Sequence, residues 1–322
     1  MKVCVVGATG AFGQKHLEAL RNIDDVTVTA MVAPEADKLD QLITDYNQTA
    51  QGFSSLEEAL KSDNVDAVIL ATPTQMHAEQ AIACMEAGKH VLVEIPMADN
   101  IEDSYKVVET QKKTGVVAMA GHTRRFNPSH QWIHNKIAAG ELNIQQMDVQ
   151  TYFFRRTNTN AKGEPRTWTD HLLWHHACHT VDLFQYQTGE KASKIQALQG
   201  PIHPELNIAM DMSIGMKTPS GALCTLSLSF NNDGPFGTFF RYICDEGTYI
   251  ARYDDLFDGK ENPISLEGVA VSNNGIELID REFFDAIRTG REPNSSVASC
   301  LPAMETLHAL EQLLEQEQGA RR

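Results

Sequence analysis

Short apolar, β-branched runs alternate with amphipathic segments through the first 120 residues of this 322-residue chain. The runs predict strands at residues 3–6, 26–32, 67–71, 91–93 and 116–119. The amphipathic segments predict helices at residues 11–22, 35–46, 56–62, 75–87 and 101–114. This alternation is typical of a doubly wound α/β domain, in which helices cover both faces of a parallel sheet.

The pattern changes after Gly121. Successive strands are predicted at residues 145–154, 194–198, 208–216, 222–230, 238–244 and 248–251. Turn sequences at 219–221 and 245–247 predict hairpins, and two amphipathic helices at 275–289 and 297–315 end the chain. We therefore expect a first domain over residues 1–121 and a second, α+β domain over residues 122–322. The second domain should contain a large, open, mostly antiparallel sheet.

Composition narrows the function classes. A formal net charge of −16 makes nucleic acid or an anionic membrane an unfavourable partner. The six cysteines are scattered without short spacings, which indicates a reducing, cytoplasmic environment. No apolar run approaches the ~18 residues that a membrane-spanning helix needs, so we expect no membrane insertion.

A basic segment at residues 122–166 stands out in this acidic chain. It holds seven cations against three acids (Glu141, Asp148 and Glu164). The cations are Arg124, Arg125, Lys136, Arg155, Arg156, Lys162 and Arg166. Such a segment favours a small anionic ligand, because guanidinium groups bind carboxylates at two points. The alternative is a surface that neighbouring acids neutralise in the fold.

Three glycines follow the first predicted strand. Gly7, Gly10 and Gly13 have the spacing GxxGxxG and lead into a predicted helix. In this context glycines let the backbone approach a pyrophosphate at the helix N-terminus, so we expect a Rossmann-like dinucleotide site. The second strand ends near Ala33, and Glu35 comes slightly late for a ribose-binding acid. This segment leaves the choice between NAD and NADP open.

Four histidines fall within nine residues of the second domain. His171, His175 and His179 have i, i+4, i+8 spacing and predict one stripe on a helix. For His175 and His179 we favour an active-site role. A metal-dependent enzyme using all three histidines is the alternative, but Leu172 stands where an HExxH motif has its acid, and we expect no metal.

Three further motifs carry a family resemblance: Thr72-Pro73-Thr74 with His77, Glu94-Ile95-Pro96, and His-Thr-Arg-Arg-Phe-Asn-Pro at 122–128. In this order the chain resembles the Gfo/Idh/MocA oxidoreductases over essentially its whole length. The resemblance implies a coenzyme-binding first domain, a second domain for substrate binding and dimerisation, and NADP as cofactor with NAD possible. The implied cofactor-binding residues are Gly7, Thr9, Gly10, Ala11, Phe12, Gly13, Ala33, Thr72, Pro73, Thr74, His77, Glu94, Ile95, Pro96 and Arg124.

The chain departs from the family pattern at two positions. Ile95 replaces the lysine of an E-K-P motif, and His175 replaces the aspartate of a D-x-x-x-H motif whose histidine is His179. The family's sugar and inositol dehydrogenases use that lysine and aspartate, so the departures argue against a polyol substrate.

Within the family the chain is similar to the dehydrogenases of protocatechuate 4,5-cleavage, in the catabolism of lignin-derived aromatic compounds. This similarity implies NAD(P)-dependent oxidation of the hemiacetal of 4-carboxy-2-hydroxymuconate-6-semialdehyde to 2-pyrone-4,6-dicarboxylate. A hemiacetal hydroxyl is more acidic than a secondary alcohol, so a neutral imidazole can serve as the base without a lysine. The alternatives are another anionic carbonyl or hydroxy substrate, or a nucleotide-sensing regulator without catalysis.

The implied roles follow from this reaction. His179 is expected to be the base, with His175 as its partner or relay. The expected substrate-binding residues are Arg124, Arg125, Arg156, His176 and His179.

Overall fold

The computed structural model describes residues 1–46, 49–159, 163, 165–166, 169–272 and 274–320, with the side chains of 318–320 left aside. Lys162 of the basic segment lies outside these residues. The chain divides into two compact units. The first comprises Met1–Thr123 with Ser272–Leu301, and the second comprises Arg124–Val271 with Pro302–Arg322.

The first unit contains a six-stranded parallel sheet of order β3-β2-β1-β4-β5-β6. Its strands are β1 (Lys2–Val6), β2 (Thr27–Val32), β3 (Gln51–Phe53), β4 (Ala67–Leu70), β5 (His90–Val93) and β6 (Ala118–Ala120). The central strands β1 and β4 are buried almost throughout, as expected for a sheet covered on both faces. This is the predicted Rossmann-like, doubly wound arrangement.

Helices connect these strands. They are α1 (Ala11–Leu20), α2 (Ala36–Tyr46), α3 (Leu56–Leu60), α4 (His77–Glu86) and α5 (Ile101–Thr114). A 3₁₀ turn at Thr74–Met76 precedes α4, where the sequence predicted helix from residue 75.

A later segment returns to the first unit. Residues 272–301 include α8 (Glu277–Thr289), which packs against α1. Its buried face carries Ile279 and Phe283, and burying that apolar face against α1 stabilises the packing. The predicted second domain, 122–322, differs from this division because it included residues 272–301.

The second unit is built on a seven-stranded sheet of order β13-β12-β11-β7-β10-β9-β8. Its strands are β7 (Ile144–Tyr152), β8 (Lys194–Gln199), β9 (Asp211–Lys217), β10 (Leu223–Ser229), β11 (Gly237–Cys244), β12 (Gly247–Arg252) and β13 (Asp255–Asp258). Only β7 and β10 pair in parallel, and every other neighbouring pair is antiparallel. The prediction of a large, mostly antiparallel sheet is confirmed.

The remaining helices are α6 (Pro128–Ala138), α7 (Cys178–Thr188) and α9 (Val297–Ala320). Strands β9 and β10 alternate between buried and exposed residues, so one face of the sheet is covered and the other is open. Among the described residues, no helix is both long and apolar enough to cross a membrane.

The histidine-rich segment is not one α-helix. Leu172–Ala177 forms a π-helical turn that continues into α7, and His171 precedes it in an extended conformation (φ −122°, ψ 161°). A π-turn closes i→i+5 hydrogen bonds, so residues four apart no longer lie directly above one another. The predicted three-histidine stripe is therefore wrong for His171.

Candidate active site

The glycine loop joins β1 to α1 in the first unit. Gly7 has φ +78°, and a Cβ there would lie 2.4 Å from the carbonyl oxygen of Ala71. A Cβ on Gly13 would lie 2.2 Å from the carbonyl oxygen of Gly7, so α1 can approach the loop only with glycine at this position. Gly10 is the N-cap of α1 and makes no side-chain cap. Gly10, Ala11 and Phe12 are exposed at the tip, while Gly13 is buried.

The other predicted cofactor residues follow the carboxyl ends of neighbouring strands. The last residues of these strands lie side by side in the sheet: Val6 pairs with Val32 and Leu70, and Leu70 pairs with Val93. Immediately beyond this row come Gly7, Ala33, Thr72, Pro73, Thr74, Glu94, Ile95 and Pro96. In doubly wound sheets, this edge is where ligands bind.

His77 connects two of these loops. Its Nδ1 lies 2.8 Å from the carbonyl oxygen of Pro96, and its Nε2 lies 2.8 Å from that of Thr72. Burial lowers the pKa of His77, although the two carbonyls oppose this shift. A neutral imidazole has one N–H, so His77 donates to one of the two carbonyls and lies within hydrogen-bond distance of the loops after both β4 and β5.

Glu94 belongs to a buried network that sequence reasoning missed. His16, on the inner face of α1, has Nε2 3.0 Å from Glu94 Oε1 and Nδ1 2.8 Å from Asp280 Oδ1 on α8. Burial alone would lower the pKa of His16, but Asp280 and Glu94 raise it to about 10. A protonated His16 therefore holds Glu94 at the end of β5. The available signal was a histidine among the apolar positions of a predicted helix.

Glu35 lies next to the glycine loop. The hydroxyl of Thr9 donates a 3.0 Å hydrogen bond to Glu35 Oε2. The carboxylate that looked slightly late in the sequence therefore sits beside the loop. An exposed negative charge there disfavours a phosphate group on an adjacent ribose.

These features fit a nicotinamide dinucleotide. Gly7 and Gly13 form a cradle that a Cβ would fill, and the uncapped N-terminus of α1 offers free backbone N–H groups. Such a terminus favours a pyrophosphate through its hydrogen-bond donors and its positive dipole end.

In the second unit, His175 lies in the π-helical turn. Its Nδ1 accepts a 3.2 Å hydrogen bond from the backbone N–H of His171, and the two rings meet edge to face at 4.8 Å. Burial, reinforced by His171, lowers the pKa of His175 to about 3. His175 is therefore neutral near pH 7, and because Nδ1 is the acceptor, Nε2 carries the proton. This arrangement makes His175 a hydrogen-bond donor.

His179 follows in α7 and is half-buried. Within the described part of the chain, the ligating atoms of His171, His175 and His179 do not gather within 4.8 Å of one another. These three histidines therefore do not form a three-ligand metal site.

Two arginines of the basic segment converge on one buried carboxylate. Asp170 accepts from Arg155 at 2.6 Å and from Arg166 at 3.0 Å, and its Oδ1 lies 2.9 Å from His176 Nε2. Burial alone would raise the pKa of Asp170, but His176 and Arg155 hold it well below its usual range. Arg155 and Arg166 therefore fit the alternative in which neighbouring acids of the fold neutralise the basic segment. His176, predicted to bind substrate, uses Nε2 in this cluster.

Arg125 also has an internal partner. Its Nε donates to Asp182 Oδ2 at 2.8 Å and its Nη2 to Asp182 Oδ1 at 2.6 Å, and both side chains are almost fully buried. The guanidinium also lies 4.6 Å from the ring centre of Tyr186. This geometry differs from the predicted substrate contact, because the N–H edge of the guanidinium that would bind a substrate carboxylate already binds Asp182.

Arg124 and Arg156 differ from these arginines, since neither belongs to an ion pair among the described side chains. Arg124 lies over the rings of Phe240 and Tyr253, with its guanidinium carbon 5.9 and 5.1 Å from their centres. Arg156 is exposed, lies 4.1 Å from the centre of the Phe154 ring, and donates to main-chain carbonyls through Nη1. No described carboxylate therefore lies at ion-pair distance from either guanidinium group.

Both units match known proteins. Residues 1–122 match the Gfo/Idh/MocA family, described as "Oxidoreductase family, NAD-binding Rossmann fold", and residues 128–270 match "Bacterial oxidoreductases, C-terminal". The chain is 64% identical over 317 residues to 4-carboxy-2-hydroxymuconate-6-semialdehyde dehydrogenase of Sphingobium sp. strain SYK-6, covering 98% of this chain and 100% of that protein.

Solved structures share the fold at low identity. A probable dehydrogenase from Thermotoga maritima superposes with a TM-score of 0.82 at 20% identity, covering 98% of this chain and 97% of that one. An oxidoreductase from Agrobacterium radiobacter, solved with NAD+, L-tartaric acid and magnesium, superposes with a TM-score of 0.81 at 15% identity, covering 97% and 96%. The chain belongs to the Gfo/Idh/MocA family of oxidoreductases, as its motifs predicted.

Proposed function

We propose that this protein is an NAD(P)-dependent dehydrogenase that oxidises the hemiacetal of 4-carboxy-2-hydroxymuconate-6-semialdehyde to 2-pyrone-4,6-dicarboxylate. The observation that carries the proposal is the 64% identity to the Sphingobium dehydrogenase across essentially both chains. Ile95 in place of the family lysine and His175 in place of the aspartate support a substrate other than a polyol.

The reaction breaks the C–H bond of the hemiacetal carbon and the O–H bond of its hydroxyl, and forms the lactone carbonyl. A bound oxidised nicotinamide would supply the hydride acceptor. His179 takes the hydroxyl proton as general base, and positioned imidazoles are well suited to this task near neutral pH. The products are the lactone, the reduced coenzyme and one proton.

His175 serves as a neutral hydrogen-bond donor to the reacting oxygen rather than as a second base. Its Nδ1 is occupied by the backbone N–H of His171, and a pKa of about 3 makes it a poor proton acceptor. This role replaces the relay that the sequence suggested for His175. A donor at this oxygen stabilises negative charge as the proton leaves.

The two carboxylates of the substrate are bound by Arg124 and Arg156. Both guanidinium groups lack an ion-pair partner among the described residues, whereas Arg125, Arg155 and Arg166 are paired with aspartates. Arg125 supports the site by fixing Asp182 of α7, and His176 supports it by fixing Asp170.

The loop at Gly7–Gly13 would hold the coenzyme, with Thr9, Ala11 and Phe12 at its tip and Ala33, Thr72 and Glu94 along the strand ends. The family resemblance favours NADP, while Glu35 beside Thr9 favours NAD. We propose that the enzyme uses both, with Glu35 limiting the preference for NADP.

Two further properties belong to the proposal. The open face of the second sheet, which exposes Leu198 and Leu223, packs against its copy to form a homodimer with a two-fold interface. The cytoplasm is the proposed location, since the six cysteines are buried and unpaired.

The test is an assay with freshly generated substrate and either NAD⁺ or NADP⁺. Growth of reduced-nicotinamide absorbance is expected with the semialdehyde and not with myo-inositol. Turnover of inositol without turnover of the semialdehyde would reverse the proposal, and coenzyme binding without any turnover would favour the regulator.

A further inference from the structure

Tyr253 occupies an unusual position in the second unit. It is the first residue of the two-residue turn between β12 and β13, and its backbone has φ +54°. Turns of this kind favour Asn or Gly, because a bulky side chain is strained at positive φ. The ring is nevertheless 46% exposed, so burial of the ring does not account for tyrosine here. Strain of this kind often marks a functional position.

The turn is tied to the start of α6. Ser129 Oγ donates to the carbonyl oxygen of Tyr253, and Asn127 Nδ2 donates to Asp254 Oδ1 at 2.6 Å. On the other side the tyrosine hydroxyl reaches Gly237, where a Cβ would lie only 2.4 Å from it. These contacts fix the ring of Tyr253 in one place.

The ring of Tyr253 lies against Arg124. The guanidinium carbon lies 5.1 Å from the centre of the Tyr253 ring, and Nη1 is 3.4 Å from Asn127 Oδ1. The buried Nε has no hydrogen-bond partner among the described atoms. Asp254 is the neighbouring acid, yet it accepts from Asn127 and forms no ion pair with Arg124. The amide of Asn127 therefore stands between the two charges.

We propose that Tyr253 is a specificity-determining residue for the anionic substrate: together with Asn127, it holds Arg124 away from Asp254 as a receptor for one substrate carboxylate. The aromatic face attracts the guanidinium plane and leaves its N–H edge available to a carboxylate. Without the ring, Arg124 can turn to Asp254 and be neutralised within the protein. The inference rests on the proposed function, because it assumes a carboxylate substrate.

The sharpest variant is Tyr253→Asn, since Asn accepts positive φ and should not destabilise the turn. We expect an unchanged or higher unfolding midpoint, together with a KM for the semialdehyde that rises roughly five- to tenfold. The KM for the coenzyme should not change. Tyr253→Phe retains the aromatic face and should keep a KM near that of the wild type. Tyr105→Asn is the matched control, because Tyr105 is equally exposed but lies on α5.

Inhibition by three pyrones then identifies the group that is recognised. The dicarboxylate product is compared with 2-pyrone-4-carboxylate and 2-pyrone-6-carboxylate. Tyr253→Asn should weaken inhibition by the dicarboxylate and by only one of the two monocarboxylates. Equal weakening of both monocarboxylates, an unchanged KM for the substrate, or a changed KM for the coenzyme alone would each overturn the inference. Wild-type enzyme that does not oxidise the semialdehyde refutes the proposed function instead.

Discussion

Arg125 and Asp182 form a buried two-point ion pair, with Nε–Oδ2 and Nη2–Oδ1 distances of 2.8 and 2.6 Å. Asp182 lies on α7, the same helix as His179, so the pair anchors the helix that carries the proposed base. Removing one member leaves the other as an unpaired charge in the interior, which is strongly unfavourable.

We therefore expect Arg125→Ala to lower the free energy of unfolding of the second unit by about 3–5 kcal/mol. Urea unfolding measures this change. Arg124→Ala is the matched comparison and should alter stability little while raising the KM for the substrate. If Arg125→Ala raised the KM and left stability unchanged, Arg125 would be the substrate ligand that the sequence suggested.

His179→Ala should reduce turnover by ~10²–10⁴, the range expected for loss of a general base. Coenzyme affinity, measured by fluorescence titration, should not change. In the wild type, kcat/KM should fall at acid pH as the general base becomes protonated. His175→Gln keeps an N–H donor and should show the same fall, because His175 is already neutral there. Loss of that acid-side fall in His175→Gln but not in His179→Ala would exchange the two roles.

The negative charge of Glu35 beside the glycine loop should influence the preference between NAD⁺ and NADP⁺. Glu35→Ser removes the negative charge beside Thr9, so kcat/KM with NADP⁺ should rise about tenfold relative to NAD⁺. Asp37→Ser, in the first turn of α2, is the control for loss of a nearby exposed acid. An unchanged ratio in Glu35→Ser would mean that this carboxylate does not face the ribose.

The raised pKa of His16 determines how the free energy of unfolding of the first unit should depend on pH. Its pKa is raised to about 10 in the folded protein, so the folded state retains a proton that the unfolded chain releases near pH 6.5. The resulting stabilisation is complete below pH 6.5 and is lost as the pH rises toward 10. The unfolding free energy of the first unit should therefore fall by a few kcal/mol between pH 7 and 10. In His16→Gln this fall should largely disappear, and an equal fall in both proteins would contradict the imidazolium assignment.

Local signals predicted much of the fold. Helix α5 matches its predicted bounds, because Asn100 Oδ1 caps it at Asp103 N–H and Gly115 ends it with φ +70°. Strand β3 was missed because it is short and has Gly52 at its centre. The π-helical turn was missed as well, since it changes the phase of a histidine pattern that fits an ordinary α-helix.

Sequence motifs predicted the parts of the site whose residues are close together in the chain. They did not predict contacts between residues that are far apart in the chain. The glycine loop follows directly from its spacing after β1. Asp182 lies 57 residues from Arg125, and Asp280 lies 264 residues from His16, so no local pattern identifies these pairs. The basic segment predicted an anionic ligand, but it did not reveal that Arg125, Arg155 and Arg166 are paired with aspartates inside the protein.

Hydride removal from the hemiacetal carbon defines the proposed reaction, and substrate deuterated at the aldehyde carbon reports this step. Mass spectrometry of the reaction should find the deuterium in the reduced coenzyme and 2-pyrone-4,6-dicarboxylate as the product. An open-chain tricarboxylic acid as the product, or a reduced coenzyme without deuterium, would exclude oxidation of the hemiacetal by hydride transfer.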